Sequence, residues 1–164
     1  MNWGRDLRAK IPGAPNFRYG EFVKSDTAIR HGIINMPDNT EWGRIEVLAK
    51  RILQPVRAKF GRIRITSGFR TPELCIKLGS TRKSSHTFGM AADFEPVSVK
   101  TQMFEIVDWM YRSLNFDTLI AEYWPEGWIH CSYVAGTDRH RLKIKDPNHN
   151  YKLVDFSDLK RIYG

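Results

Sequence analysis

The sequence predicts an α+β domain in which a small antiparallel sheet is flanked by helices. Two long amphipathic segments, at residues 40–60 and 99–114, repeat apolar side chains every three or four positions, as helices do. Several short segments alternate polar and apolar residues, as half-buried strands do. Helices and strands are mixed in order and do not alternate strictly, which favours an antiparallel sheet.

The composition is that of one globular domain. The chain has 164 residues, of which 41% are hydrophobic and 12% aromatic, enough to build a proper core. Residues 1–16 have a mixed pattern that ends in prolines and a glycine, and they are interpreted as an N-terminal arm. Residues 17–164 form the predicted domain, with a core at about 17–135 and a basic tail at 138–164.

The net charge of the chain favours anionic partners but does not identify which one it binds. A net charge of +8 favours polyanions such as nucleic acid, an anionic membrane or an anionic wall polymer. The lysines and arginines are scattered and no nucleic-acid-binding motif accompanies them, so we expect no specific nucleic-acid partner. No segment is long enough for a membrane span, and the first residues contain no apolar run of a signal peptide. We expect a monomer that is synthesised in the cytoplasm.

The first half of the chain contains clear start and stop signals. Ser25 is a predicted helix N-cap, and Gly32 ends that short helix. The amphipathic helix at residues 40–60 contains Pro55 near its end and is stopped by a glycine. Residues 62–66 then alternate as a half-buried strand.

The second half is predicted to supply the rest of the sheet. Thr71, followed by Pro72, is typical of a helix start. Strands are predicted at residues 90–94, 118–123, 128–134 and 142–145. The second and third of these are joined by a short turn with proline and glycine, which indicates an antiparallel hairpin. A short helix is predicted from Ser157.

One stretch brings together residue types that bind metals. His86 and Asp93 flank Gly89, which suits a tight turn with positive φ or a close chain approach. A loop that carries His86 and a strand that carries Asp93 would let both side chains meet at one point. A catalytic zinc normally has three protein ligands and one open position, and His130 in a later strand is the candidate for the third. Two histidines and a carboxylate also suit other divalent metals.

These residues belong to a recognisable pattern. Three segments carry it, namely Ser84-x-His86-x-x-Gly89-x-Ala91-x-Asp93, Trp128-Ile129-His130 and Ser67-Gly68-Phe69-Arg70. The pattern resembles the zinc D-alanyl-D-alanine carboxypeptidase family, which includes phage L-alanyl-D-glutamate endolysins and vancomycin-resistance dipeptidases. The N-terminal domain of hedgehog proteins shares that fold and zinc site. The resemblance covers roughly residues 17–135.

The resemblance implies a zinc metallopeptidase, with Zn²⁺ bound by His86, Asp93 and His130. Its substrate would be the peptidoglycan stem peptide, cut by a D,D-carboxypeptidase or an endolysin-type endopeptidase. Such an enzyme, encoded by a phage or by a bacterium, would act on the cell wall after release or as part of a phage particle.

The resemblance also implies further site residues. Arg70 would hold substrate and stabilise charge on the scissile carbonyl oxygen. Ser84 would bond substrate or orient a ligand, and Trp128 would form a wall of the cleft. Several family members place the catalytic base three residues before the last histidine, where this chain has Gly127.

Two glutamates compete for the role of base. Glu122 lies near the end of a predicted strand and matches the upstream glutamate of hedgehog-like members, so it is favoured. Glu126 lies in the turn, where a solvated residue is expected. The departure from the family pattern also leaves an alternative function, a catalytically inactive zinc-containing module that binds cell wall or protein.

Overall fold

A six-stranded sheet forms the body of the protein in a computed structural model that describes residues 4–98, 103–123, 127–145, 151–155, 157–158 and 161. Its strands are β3 (Ile63–Ser67), β4 (Ala91–Pro96), β5 (Thr118–Glu122), β6 (Trp128–Ser132), β7 (Arg141–Lys145) and β8 (Tyr151–Leu153). The order across the sheet is β3-β4-β6-β5-β7-β8. Every neighbouring pair is antiparallel except β5 and β7, which run parallel. The predicted α+β class is confirmed.

The two faces of this sheet have different characters because successive side chains of a strand point to opposite sides. Ala92 pairs with Cys131 across β4 and β6, and both are fully buried in the apolar core. Asp93 pairs with His130 one position along, so these two side chains lie on the other face. The apolar face packs against helices, and the second face carries the polar residues discussed below.

The helix predicted at residues 40–60 forms as three continuous parts. They are α2 (Asn39–Leu48), a π-helical segment (Ala49–Leu53) and α3 (Gln54–Phe60). The π segment lies where Pro55 would otherwise place its ring against the carbonyl of Arg51. Gly61 ends the helix, as predicted.

Two short helices begin where their capping residues predict. α1 (Asp26–His31) is capped by the Ser25 hydroxyl, which accepts from the Ala28 N–H. α4 (Pro72–Lys77) is capped in the same way by Thr71. α5 (Met103–Ser113) packs its apolar side on the sheet, whereas the first residues predicted for it, 99–102, lie outside the described residues. No helix of the described residues is long and apolar enough to cross a membrane.

A small hairpin precedes the main sheet. β1 (Lys10–Ile11) pairs with β2 (Ala14–Arg18), and a 3₁₀ turn (Tyr19–Phe22) follows. Ile11 and Ala14 are fully buried in the same core as the large helices. This part of the predicted N-terminal arm therefore belongs to the folded core.

The start of the predicted C-terminal tail is fixed to the body by a buried carboxylate. Asp117, which is 3% exposed, accepts hydrogen bonds from the Arg139 guanidinium at 2.7 Å and from the hydroxyls of Thr118 and Ser132. The ring of His140 stacks on Phe116 with 4.2 Å between ring centroids. These contacts lead directly into β7, so the predicted strand at 142–145 forms and joins the sheet.

Asp117→Asn should destabilise the protein in a pH-dependent way. The hydrogen bonds from Arg139, followed by that from Thr118, hold the pKa of Asp117 below its usual range despite burial. The stabilisation is therefore present above the unfolded pKa of about 3.9 and is lost as the pH falls through the lower folded pKa. We expect Asp117→Asn to cost roughly 1–3 kcal/mol at neutral pH and clearly less at about pH 3, measured by urea unfolding.

The matched control is Asp108→Asn. Asp108 pairs with Arg112 on the surface of α5, where an ion pair contributes little. We expect its unfolding free energy to stay within about 0.5 kcal/mol of wild type. Equal destabilisation by Asp117→Asn at both pH values would show that the carboxylate charge is not what anchors the tail.

Candidate active site

Two histidines and an aspartate form a tight buried cluster on the polar face of the sheet. His86 Nε2 lies 3.2 Å from His130 Nδ1 and 3.3 Å from Asp93 Oδ1, and His130 Nδ1 lies 2.8 Å from Asp93 Oδ1. His86 is 3% exposed, His130 is 9% exposed and Asp93 is 5% exposed, so all three residues are buried. The cluster contains the three residues predicted as metal ligands.

Local structure places each of these side chains. Asp93 and His130 are direct partners on adjacent antiparallel strands, which brings their side chains together on one face. His86 comes from a 3₁₀ turn (Ser85–Phe88) that ends at Gly89 with φ 67°. A Cβ at Gly89 would lie 2.6 Å from the Glu41 carbonyl oxygen, so this position needs glycine both for its conformation and for a close approach.

Hydrogen bonds fix the orientation of His86. Its Nδ1 lies 2.6 Å from the Gly68 carbonyl oxygen, an acceptor only, so Nδ1 carries the proton and donates. The other nitrogen, Nε2, then presents a lone pair to the cluster, which is the arrangement that metal-binding histidines use. Ser84 caps the turn, because its hydroxyl accepts from the His86 N–H at 3.4 Å. Ser84 therefore helps to hold the turn that carries His86.

The electrostatics of the cluster favour the protonation states of metal ligands. Burial lowers the pKa of His86, which keeps the imidazole neutral even though Asp93 opposes the shift. Burial alone would raise the pKa of Asp93, but His86 and His130 together hold it well below its usual range. Arg70 donates to the second oxygen of Asp93 at 2.7 Å and to the Ser67 hydroxyl. The aspartate is thus held ionised.

The spacing of the three ligand atoms fits a small divalent metal. Tetrahedral zinc holds nitrogen and oxygen ligands at about 2.0–2.1 Å, which places two ligands roughly 3.3 Å apart. The three separations of 3.2, 3.3 and 2.8 Å are close to that value. Two imidazoles and one carboxylate also match the donor set of catalytic zinc sites. The residues present therefore fit a zinc ion.

The cluster lies at the base of an open cleft of about 910 Å³. The cleft is lined by each of the other predicted site residues that the structure describes, which are Arg70, Ser84, Glu122 and Trp128. Glu122 is 6% exposed and belongs to β5, next to the strand that carries His130. The competing Glu126 lies outside the described residues.

Close packing explains why the chain departs from the Glu-x-x-His pattern. A Cβ at Gly127 would lie only 1.7 Å from the carbonyl oxygen of Glu122. No side chain fits there without moving the backbone, so a base cannot be attached at this position. Glu122 reaches the cleft from the neighbouring strand instead.

Several cleft residues were missed by the sequence analysis, and two of them come from the predicted tail. Lys145 and Tyr151 come from β7 and β8 in the basic tail, and both line the cleft. The Lys145 ammonium lies 3.1 Å from the Glu122 carboxylate. The alternating pattern at 142–145 indicates a strand, but only the pairing of β7 with β5 shows which residue that strand faces.

Comparison with known proteins is consistent with this geometry. The model of a family described as Peptidase M15 matches residues 15–132, which include the three clustered residues, Arg70 and Glu122. No curated protein matches the chain. Because the family model covers well over half of the 164 residues, the chain belongs to the peptidase M15 family of zinc-dependent peptidases.

Proposed function

We propose that the protein hydrolyses peptide bonds in peptidoglycan stem peptides, with Zn²⁺ held by His86, Asp93 and His130. The observation that carries this proposal is the buried cluster of these residues at the base of a cleft that also contains Glu122 and Arg70. When bound, a zinc ion polarises the scissile carbonyl and makes water a stronger nucleophile at neutral pH.

The protein's own residues supply the proton transfers. Glu122 accepts the proton from the attacking water at its carboxylate and returns it to the leaving amine. Its place on a strand suits this role, because a rigid element holds a base in position better than a turn does. Removal of the base should slow turnover without emptying the metal site, since Glu122 is outside the ligand cluster.

Arg70, Ser84 and Trp128 bind the substrate in this proposal. Among the described residues, Arg70 donates from its Nε to Ser67 and from one Nη to Asp93, so the other N–H groups of its guanidinium remain for a substrate carboxylate or carbonyl. The Trp128 indole N–H is buried and has no hydrogen-bond partner in the described part of the chain. Trp128 also lines the cleft, where its ring would form a wall against the substrate.

The substrate class follows from the sequence resemblance and from charge. A net charge of +8 would favour approach to an anionic cell wall. The D,D-carboxypeptidase and endolysin-type endopeptidase activities use the same metal chemistry and differ in the bond that is cut. We also propose that the enzyme is encoded by a phage and meets the wall after release from a cell or as part of a phage particle.

Digestion of purified cell walls tests the proposal directly. We expect falling turbidity or release of peptides and D-alanine with wild-type protein, loss of that activity with chelator, and recovery with added Zn²⁺. Mass spectrometry of the products identifies the bond. Protein that binds walls but releases no product would support the non-catalytic binding module instead.

The metal content should depend on the histidines. We expect about one zinc per chain in wild-type protein, and strong loss of zinc in His86→Ala and in His130→Ala, by elemental analysis. His140→Ala is the matched control, since His140 stacks on Phe116 and lies outside the cluster. Its zinc content should equal that of wild type. Wild-type protein that holds no metal after purification without chelator would contradict the site.

The base is tested by conservative substitution. Glu122→Gln should lower turnover roughly a hundredfold to ten-thousandfold, because the amide cannot accept the proton. Its zinc content should remain unchanged, as measured by elemental analysis. Glu95→Gln serves as the control, because Glu95 pairs with the exposed Arg64 on β4.

The rival glutamate is tested in the same assay. We expect Glu126→Gln to keep both zinc and activity. An inactive Glu126→Gln beside an active Glu122→Gln would assign the role of base to Glu126.

A further inference from the structure

We propose that Lys145, from the strand β7 beyond the family match, is the residue that positions Glu122 for catalysis. The proposal rests on the proposed function, since it assigns a support to the base of that reaction. The family model ends at residue 132, so Lys145 belongs to the part of the chain that the family model does not describe.

The sheet brings the two side chains together by register. β5 and β7 are parallel neighbours, and Glu122 pairs directly with Lys145. The Lys145 ammonium donates to Glu122 Oε2 at 3.1 Å. Their side chains are only 16% and 8% exposed, so this ion pair is largely shielded from water. A shielded charge pair holds its geometry far better than a surface one.

Two tyrosine rings contact the Lys145 ammonium. Lys145 Nζ lies 5.0 Å from the centroid of the Tyr123 ring and 4.8 Å from that of Tyr151. Both distances are within the range of cation–π attraction. Tyr151 lies on β8, so the last described strand also supplies an aromatic ring against the Lys145 ammonium.

The backbone reinforces the same arrangement. The Tyr123 N–H donates to the Lys145 carbonyl oxygen at 3.0 Å, directly after the strand that carries Glu122. Tyr123 has φ 55°, a left-handed conformation that is unfavourable for an aromatic residue. Such strain is kept where the surroundings require it, which is common near active sites.

Lys145 keeps its positive charge at neutral pH. Burial alone would lower the pKa of its ammonium, but hydrogen bonds with Tyr151 and Tyr123, together with the Glu122 carboxylate, raise it above its usual value. Without a cation beside it, a carboxylate as buried as Glu122 would lose favourable interactions and move toward water. Lys145 thus allows a buried glutamate to remain in place.

A steady-state assay on a soluble stem peptide tests the role. Lys145→Met keeps the aliphatic stem and removes the charge, and we expect kcat to fall about 10- to 100-fold while KM changes less than about twofold. Lys145→Arg should restore most of kcat. Lys152→Met, an exposed lysine on β8, is the control and should match wild type. Zinc content should be unchanged in all three variants.

A double variant shows whether Lys145 acts through the base. In a Glu122→Gln background, Lys145→Met should cause no further loss, because the group that it positions is already absent. A full additional loss there, or a rise in KM at constant kcat, would overturn the proposal and indicate a direct contact with substrate. Wild-type kcat in Lys145→Met would also overturn it.

A structural readout separates this proposal from the proposed function. In a crystal structure of Lys145→Met we expect the Glu122 carboxylate to leave its wild-type position, whether or not the wild-type protein cuts cell walls. An unmoved Glu122 overturns the positioning role. An inactive wild type, or an active Glu122→Gln, overturns the proposed chemistry instead.

Discussion

The buried carboxylate of Asp93 is the constraint on which the site depends. It is 5% exposed on a central strand, and its two oxygens contact His86 and His130 on one side and Arg70 on the other. An ionised group at such a position is very costly unless cationic or hydrogen-bonding partners surround it. The surrounding structure supplies them, since Arg70 is held by the Ser67 hydroxyl and His86 by the Gly68 carbonyl. A bound divalent ion would add positive charge on the side of Asp93 that faces the two histidines.

The strand order places the site residues of the other strands on the same face of the sheet as Asp93. β4, β6, β5 and β7 lie side by side, and cross-strand pairs share a face. One row across the sheet contains Asp93 and His130, and the next row contains Trp128, Glu122 and Lys145. The two candidate metal ligands on these strands and the proposed base therefore lie two residues apart along the strand direction. Because the opposite face is packed in the core, a register shift of one residue would bury the polar groups and expose the apolar ones.

The features that the sequence could predict are those encoded locally. His86, Gly89 and Asp93 lie within one short segment, and the helix caps at Ser25 and Thr71 depend on neighbouring backbone. The place of Lys145 depends instead on a parallel pairing between β5 and a strand that follows β6 in the chain, which periodicity cannot specify. The burial of Ile11 and Ala14 was missed for a related reason, since prolines and glycine indicate a turn but not what the turn packs against. The clash at Gly127 is likewise visible only in three dimensions.

The charges in the cleft explain how a site with two buried carboxylates would receive an anionic substrate. Among the described residues that line it, the charged ones are Arg70, Asp93, Glu122 and Lys145, so two cations balance two anions. Each cation is paired with one anion, Arg70 with Asp93 and Lys145 with Glu122. The protein alone therefore presents a nearly neutral cleft, and a bound divalent ion would make it positive. In a low-dielectric cleft that excess charge acts strongly on a nearby carboxylate. Attraction for an acidic peptide would thus depend on the metal as well as on the basic surface.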